Sequence, residues 1–138
     1  MFSRHDYENL LYTLAERYDE ISFSTLRVYP NGRTTVFVRG SIFFKNGIEL
    51  RIFEYIDFSD STILDYSYTA LRDSEKLRWY DPQPHPEIES LQSTFPHHRH
   101  EPPNIKQNRL PAPGISFEVP NLHTLIRDCI ELDESLGK

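Results

Sequence analysis

The chain of 138 residues carries 15 Lys and Arg against 21 Asp and Glu, a formal charge of −6, with 38% hydrophobic residues and one cysteine. That length suits one domain with a sizeable core, and the acidic balance argues against a surface that coats nucleic acid or anionic lipid throughout. A lone cysteine excludes an internal disulfide, no apolar run approaches the roughly 18–20 residues of a membrane helix, and Met1–Asp6 lacks a secretion-signal pattern; a single cytoplasmic domain over 1–138 is expected.

The first segment has helical period. Tyr7, Leu10, Leu11, Leu14, Ala15 and Tyr18 form a one-sided apolar stripe, and Ser3 with Asp6 resembles a capping signal. From Ile21 the period changes to two. Asn31-Gly32 and Asn46-Gly47 stand before and after the strand Thr34–Phe44, and Asn-Gly supplies the positive φ angles of tight hairpins. Strands are therefore expected at Ile21–Tyr29, Thr34–Phe44, Ile48–Phe58, Ile63–Leu71 and Lys76–Tyr80, with Leu64, Tyr66, Tyr68 and Ala70 on one face of the fourth. Prolines then crowd the stretch from Pro82 to Pro113, which excludes an inner strand or helix interior by removing backbone donors. An ordered His/Pro-rich loop at about 82–114, laid over the sheet, is the expectation. Leu122, Leu125, Ile126, Cys129 and Ile130 repeat the helical stripe, with Asn121 as N-cap and Gly137 near the stop. The expected class is α+β: a five-stranded, mainly antiparallel meander with both terminal helices on one face, α-β-β-β-β-β-α.

Chemistry-bearing residues concentrate after the fifth strand. Four of the six histidines lie at His85, His97, His98 and His100, following Asp81 at a strand end. Imidazole titrates near neutrality, so such clustering concentrates acid–base, phosphate-contact or metal-ligand capacity. The run His97-His98-Arg99-His100 lacks the i, i+4 spacing of helical zinc ligands. His98 and His100 share one side of an extended chain, and His85 or Asp81 would complete a three-ligand set; the adopted expectation nevertheless has no metal and no cofactor. Cys129 sits on the apolar stripe of the last helix and reads as a buried hydrophobe. Glu54 falls in the inward register of Ile48, Leu50 and Ile52, where a carboxylate must be paired, protonated or lining a pocket, unless a bulge turns it to solvent. Tyr66 and Tyr68 project together, as core or as a platform for stacking bases. Residues 72–109 hold six basic and six acidic side chains, so the rest of the chain carries the whole −6. The His-rich side is the least repulsive place for a phosphate backbone.

Four pieces together carry a family resemblance: Asp65-Tyr66-Ser67-Tyr68, Arg78-Trp79-Tyr80-Asp81, Pro84-His85-Pro86-Glu87-Ile88 and Thr94-Phe95-Pro96-His97-His98-Arg99-His100. They resemble the TumE-type toxins of bacterial and archaeal toxin–antitoxin pairs, and Glu54 matches a glutamate on an earlier strand of that family. The chain departs from the family pattern at Thr69 and Pro82, where that pattern has His and Asn. What the resemblance implies is a small cytoplasmic toxin with a DNA-binding antitoxin as partner.

The expected function is action on RNA in the manner of a metal-independent ribonuclease. Such an enzyme needs a base for the 2′-hydroxyl, an acid for the leaving oxygen and cationic donors for the phosphorane. His98 and His100 are expected as the acid–base pair, Arg99 or His97 as charge stabiliser, and Asp81 or Glu54 as orienting carboxylate. His85 is a further catalytic candidate, while Tyr66, Tyr68, Tyr80 and Glu87 are candidate substrate contacts. A non-catalytic protein-interaction module and a metal-dependent phosphodiesterase are the alternatives, and a homodimer is left open.

Overall fold

The apolar stripe of the first segment does fold as helix, but in two pieces. The computed structural model describes residues 2–136, with α1 at Arg4–Tyr12 and α2 at Leu14–Arg17. The Ser3 hydroxyl accepts from the Asp6 N–H at 3.0 Å, as a cap should. Thr13 leaves helical geometry at φ −121°, and its hydroxyl donates back to the Asn9 carbonyl at 2.7 Å. The break keeps Leu14 buried while Ala15, on the expected stripe, is exposed.

The sheet is antiparallel throughout, but among the described residues it has eight strands rather than five. They are β1 (Ile21–Ser24), β2 (Arg27–Pro30), β3 (Thr35–Phe44), β4 (Glu49–Asp57), β5 (Thr62–Arg72), β6 (Glu75–Asp81), β7 (His98–His100) and β8 (Arg109–Pro111). Their order is β1-β3-β4-β5-β6-β7-β8, with β2 also paired to β3. Two physical causes account for the difference. First, Ile21–Tyr29 is interrupted at Thr25-Leu26, where Leu26 turns into the core and the Thr25 hydroxyl accepts from the Ser41 N–H at 2.9 Å. The crossing is so close that a Cβ on Gly40, at φ +137°, would lie 2.6 Å from the Thr25 carbonyl oxygen. Second, the His-rich stretch contributes strands. His98-Arg99-His100 contains no proline, so β7 is an inner strand between β6 and β8, and Pro111 falls on the outermost strand in the order.

Hairpins follow the turn chemistry unevenly. Gly47 has φ +90° and its N–H donates to the Phe44 carbonyl at 3.0 Å. Gly32 is not in the positive-φ region; a longer loop, closed by the Asn31 N–H on the Thr35 carbonyl at 3.0 Å, joins β2 to β3. A tight two-residue turn occurs instead at Asp73 (φ 52°) and Ser74 (φ 66°). In β5 a register shift opposite Tyr55/Ile56 places Ile63 inward and leaves Leu64 47% exposed, against the expected alternation.

Both terminal helices cover one sheet face. Leu10, Leu11 and Leu14 from the first, and Leu122, Leu125, Ile126 and Cys129 from α3 (Leu122–Leu136), join Val36, Val38, Ile42, Leu50, Ile52, Ile56, Tyr66, Tyr68 and Tyr80 in one core. Asn121 stands just before α3, its carbonyl accepting the Leu125 N–H, while its side chain accepts from the Ser116 N–H and donates to the Tyr68 hydroxyl. Gly137, the expected stop, lies outside the described residues. The opposite face carries Phe37, Phe53 and Tyr55, with the Arg39 guanidinium over Phe37 and Phe53. No helix among the described residues is long and apolar enough to cross a membrane.

Candidate functional site

Register places the site. Trp79 pairs with His100 and Asp81 with His98, so alternation puts all four side chains on the sheet face away from the helices. There the His98 Nε2 and His100 Nε2 lie 3.1 Å apart, with Asp81 Oδ1 3.2 Å from the first and Oδ2 3.1 Å from the second. Trp79 stacks on the His100 ring at 4.5 Å between centroids. His85 stands edge-on to His98 at 5.0 Å and hydrogen-bonds Glu87 at 3.2 Å. Asp81 also lines an open groove of about 460 Å³ with Asp65, Tyr66, Ser67, Trp79, Pro82, Gln83 and Pro84.

The segment that carries these groups is held by specific bonds. Gln92 donates to the carbonyls of His85 (3.0 Å) and Ile88 (2.8 Å), and Leu91 of the 3₁₀ turn Glu89–Thr94 is buried. The Thr94 hydroxyl donates to the His97 carbonyl and accepts from the Ala112 N–H. A proline-rich stretch thus becomes ordered without long regular structure.

Electrostatics follow from burial. His98 and His100 are only 2% and 3% exposed. Burial lowers the His100 pKa, against the pull of Asp81 and with the help of like-charged His98. For Asp81, burial works upward, but the His98 contact, the Gln83 N–H and the two imidazoles outweigh it and hold the carboxyl below its ordinary value.

Several expected site residues stand elsewhere. Arg99 alternates to the helix side, where it and Arg78 pair with Glu101. His97 is buried on that side, bonded to the Tyr66 hydroxyl at 2.6 Å and packed on Phe117. Glu54 is fully buried, as its inward register implied, and accepts hydrogen bonds from the hydroxyls of Tyr7 and Tyr68. Burial raises its pKa despite those two donors. Tyr66, Tyr68 and Tyr80 are 2%, 0% and 1% exposed, so their rings are core and offer no free face to a base. The Tyr80 hydroxyl donates to Asp128 at 2.8 Å. Glu87 is exposed and reaches the site only through His85. Burial pushes the Cys129 thiol up to about 12, which fits its inert place in the core.

Trp79 and Thr94 stand in the motifs that carry the resemblance but were given no site role, and Gln92 was not singled out at all. Trp79 was findable, because it lies two residues before Asp81 in a strand and must share its face. The contacts of Gln92 and Thr94 depend on loop geometry that carries no periodic signal.

A protein-family model described as Toxin TumE matches residues 11–136, which include the whole strand system and the Asp81–His98–His100 cluster. The chain belongs to the TumE toxin family. No curated protein and no solved structure gives a significant match. The TumE match confirms the resemblance carried by the four sequence pieces, and it extends well beyond them on both sides.

Proposed function

We propose that this TumE toxin acts on RNA, by phosphodiester cleavage at Asp81, His98 and His100. The observation that carries the proposal is the convergence of one carboxylate oxygen pair and two imidazole nitrogens at 3.1–3.2 Å, at the mouth of the groove that Asp81 lines. Buried clusters of this kind, outside the core and next to a cleft, are where proteins place reactive groups. Support for RNA comes from the surroundings. The groove runs beside Trp79, with Lys76 over its ring at 5.8 Å, onto a sheet face where Phe37, Phe53 and Tyr55 lie with Arg39. Aromatic faces with interleaved cations suit single-stranded bases and phosphates.

The distances revise the expected division of labour. In-line displacement puts the attacking and leaving oxygens on opposite sides of phosphorus, so an acid and a base must flank it. Two nitrogens 3.1 Å apart stand on the same side. Asp81, His98 and His100 therefore act as one unit, and His85, oriented by Glu87, is the imidazole left to carry a proton.

Induced expression of the chain should inhibit growth and deplete cellular RNA, while Asp81→Asn should do neither at equal protein level. Growth arrest with intact RNA would overturn the assignment of substrate.

One observation favours a second reading, a module that binds a protein partner such as the family's antitoxin. Phe23 is 53% and Tyr29 50% exposed at the β1/β2 edge, a surface suited to a partner. Tight binding of the neighbouring gene's product by a chain that leaves RNA intact would establish that reading.

A further inference from the structure

We propose that Asp81, His98 and His100 form a binding site for a divalent first-row transition-metal ion such as Zn²⁺ or Mn²⁺. This rests on the same site as the RNA reading but is independent of the substrate, and it departs from the metal-free expectation of the sequence.

Three features carry it. The first is spacing. One atom from each residue, two imidazole nitrogens and a carboxylate oxygen, lies within 4.8 Å of the others. The closest approaches are 3.1, 3.1 and 3.2 Å. Ligand atoms about 2.0–2.1 Å from a common ion are about 3.0 Å apart when cis in an octahedron and about 3.4 Å apart in a tetrahedron. These three approaches, in which the carboxylate meets each nitrogen with a different oxygen, fall between those two edges, so the spacing suits an ion held by both imidazoles and the carboxylate. Two histidines and one carboxylate on one triangular face also leave the opposite positions open.

The second is proton arithmetic. His98 Nδ1 lies 3.3 Å from the Pro96 carbonyl, which can only accept, so Nδ1 carries the hydrogen and Nε2 offers its lone pair. In that tautomer the His98 Nε2 lone pair faces Asp81 Oδ1, two acceptors 3.2 Å apart, a contact that a cation between them satisfies. The Pro96 bond is also the kind of outer contact that fixes the tautomer of a metal-bound histidine.

The third is placement. His98 and His100 are buried with side-chain exposures of 2% and 4%, whereas Asp81, at 14%, opens onto the groove. The ligands are held by paired strands and by Trp79 stacked on His100. Nitrogen–nitrogen–oxygen donors select Zn²⁺, Mn²⁺, Co²⁺ or Ni²⁺ over Mg²⁺, which prefers oxygen alone.

The test uses tag-free, full-length protein, stripped with chelator and dialysed. Titration with Co²⁺, Zn²⁺ and Mn²⁺ should give one site per chain, with visible ligand-field absorption for Co²⁺ and a raised melting temperature. Asp81→Asn, His98→Ala and His100→Ala should each weaken binding about 100-fold or more, and Mg²⁺ should not compete. The double variant His5→Ala/His123→Ala, which alters histidines away from the site, should bind as the unaltered protein does. Asp81→Asn preserves side-chain volume and keeps the test valid if the histidine variants fail to fold. Absence of stoichiometric binding, or equal binding by Asp81→Asn, would overturn the proposal. Metal binding without RNA cleavage would support the site and defeat the RNA reading. RNA cleavage by metal-free protein in excess EDTA, with no stoichiometric binding in the titration, would do the reverse.

Discussion

Replacing Tyr7 by Phe tests what Glu54 does. The Tyr7 hydroxyl donates to Glu54 Oε1 and the Tyr68 hydroxyl to Oε2 at 2.5 Å, with Glu54 fully buried. The substitution keeps the ring, and with it the packing on Phe2 and Phe58 at 5.4 and 6.3 Å between centroids. Only the hydrogen bond is lost. A bond to the carboxyl in its charged form contributes about 1.5–3 kcal/mol, and Oε1 is left buried without that donor. For a domain of this size that corresponds to a melting temperature about 5–10 °C lower. The pH dependence has a definite sign. Burial raises the folded-state pKa of Glu54 above its ordinary value. A carboxyl with raised folded pKa is most favourable to folding when protonated in both states, and that advantage is lost as pH rises through the unfolded and then the folded value. The donors matter to the charged form. The Tyr7→Phe penalty is therefore full well above the folded pKa and shrinks as pH falls below it. Urea denaturation of both proteins across a series of pH values measures the difference. An unchanged stability at every pH, or a penalty independent of pH, would refute the claim that the two phenols hold the buried Glu54 carboxyl.

Gly40→Ala should destabilise by about 2–3 kcal/mol in urea denaturation, because φ is +137° and the added Cβ meets the Thr25 backbone at 2.6 Å. Arg99→Ala separates the two readings of the His-rich segment: it should lower stability by about 1 kcal/mol through the Glu101 pairing and leave RNA cleavage at its original rate. His85→Ala should reduce the cleavage rate by about 10²–10⁴ with an unchanged melting temperature, if its ring, 5.0 Å from that of His98, carries the proton as proposed. A change in stability without a change in rate would remove His85 from the mechanism.

The elements that the sequence made legible are those whose apolar period is long. Tyr7 to Leu14, Val36 to Phe44 and Leu122 to Cys129 each present a repeated stripe to the core, and all became elements on the expected face. Strands of three or four residues carry too few positions to show a period, which is why β7, β8 and the β1/β2 break were not visible. Within the site, Asp81, His98 and His100 were named from residue type and alternation. Their convergence followed because β7 pairs with β6 in the register that sets His98 opposite Asp81. Arg99 and His97 were misplaced for the same reason: a strand sends consecutive side chains to opposite faces, so the four-residue run cannot act together. Tyr66, Tyr68 and Tyr80 illustrate a different limit. Alternation groups them on one face, but only the covering helices decide that this face is core.

The central claim is that Asp81, His98 and His100 are the site at which this toxin cleaves RNA. Purified protein and Asp81→Asn, matched in melting temperature, should be incubated with a labelled single-stranded RNA in the presence of Zn²⁺ or Mn²⁺. The account predicts cleavage by the unaltered chain and a loss of about 10² or more in rate for Asp81→Asn. Equal cleavage by both proteins would contradict it.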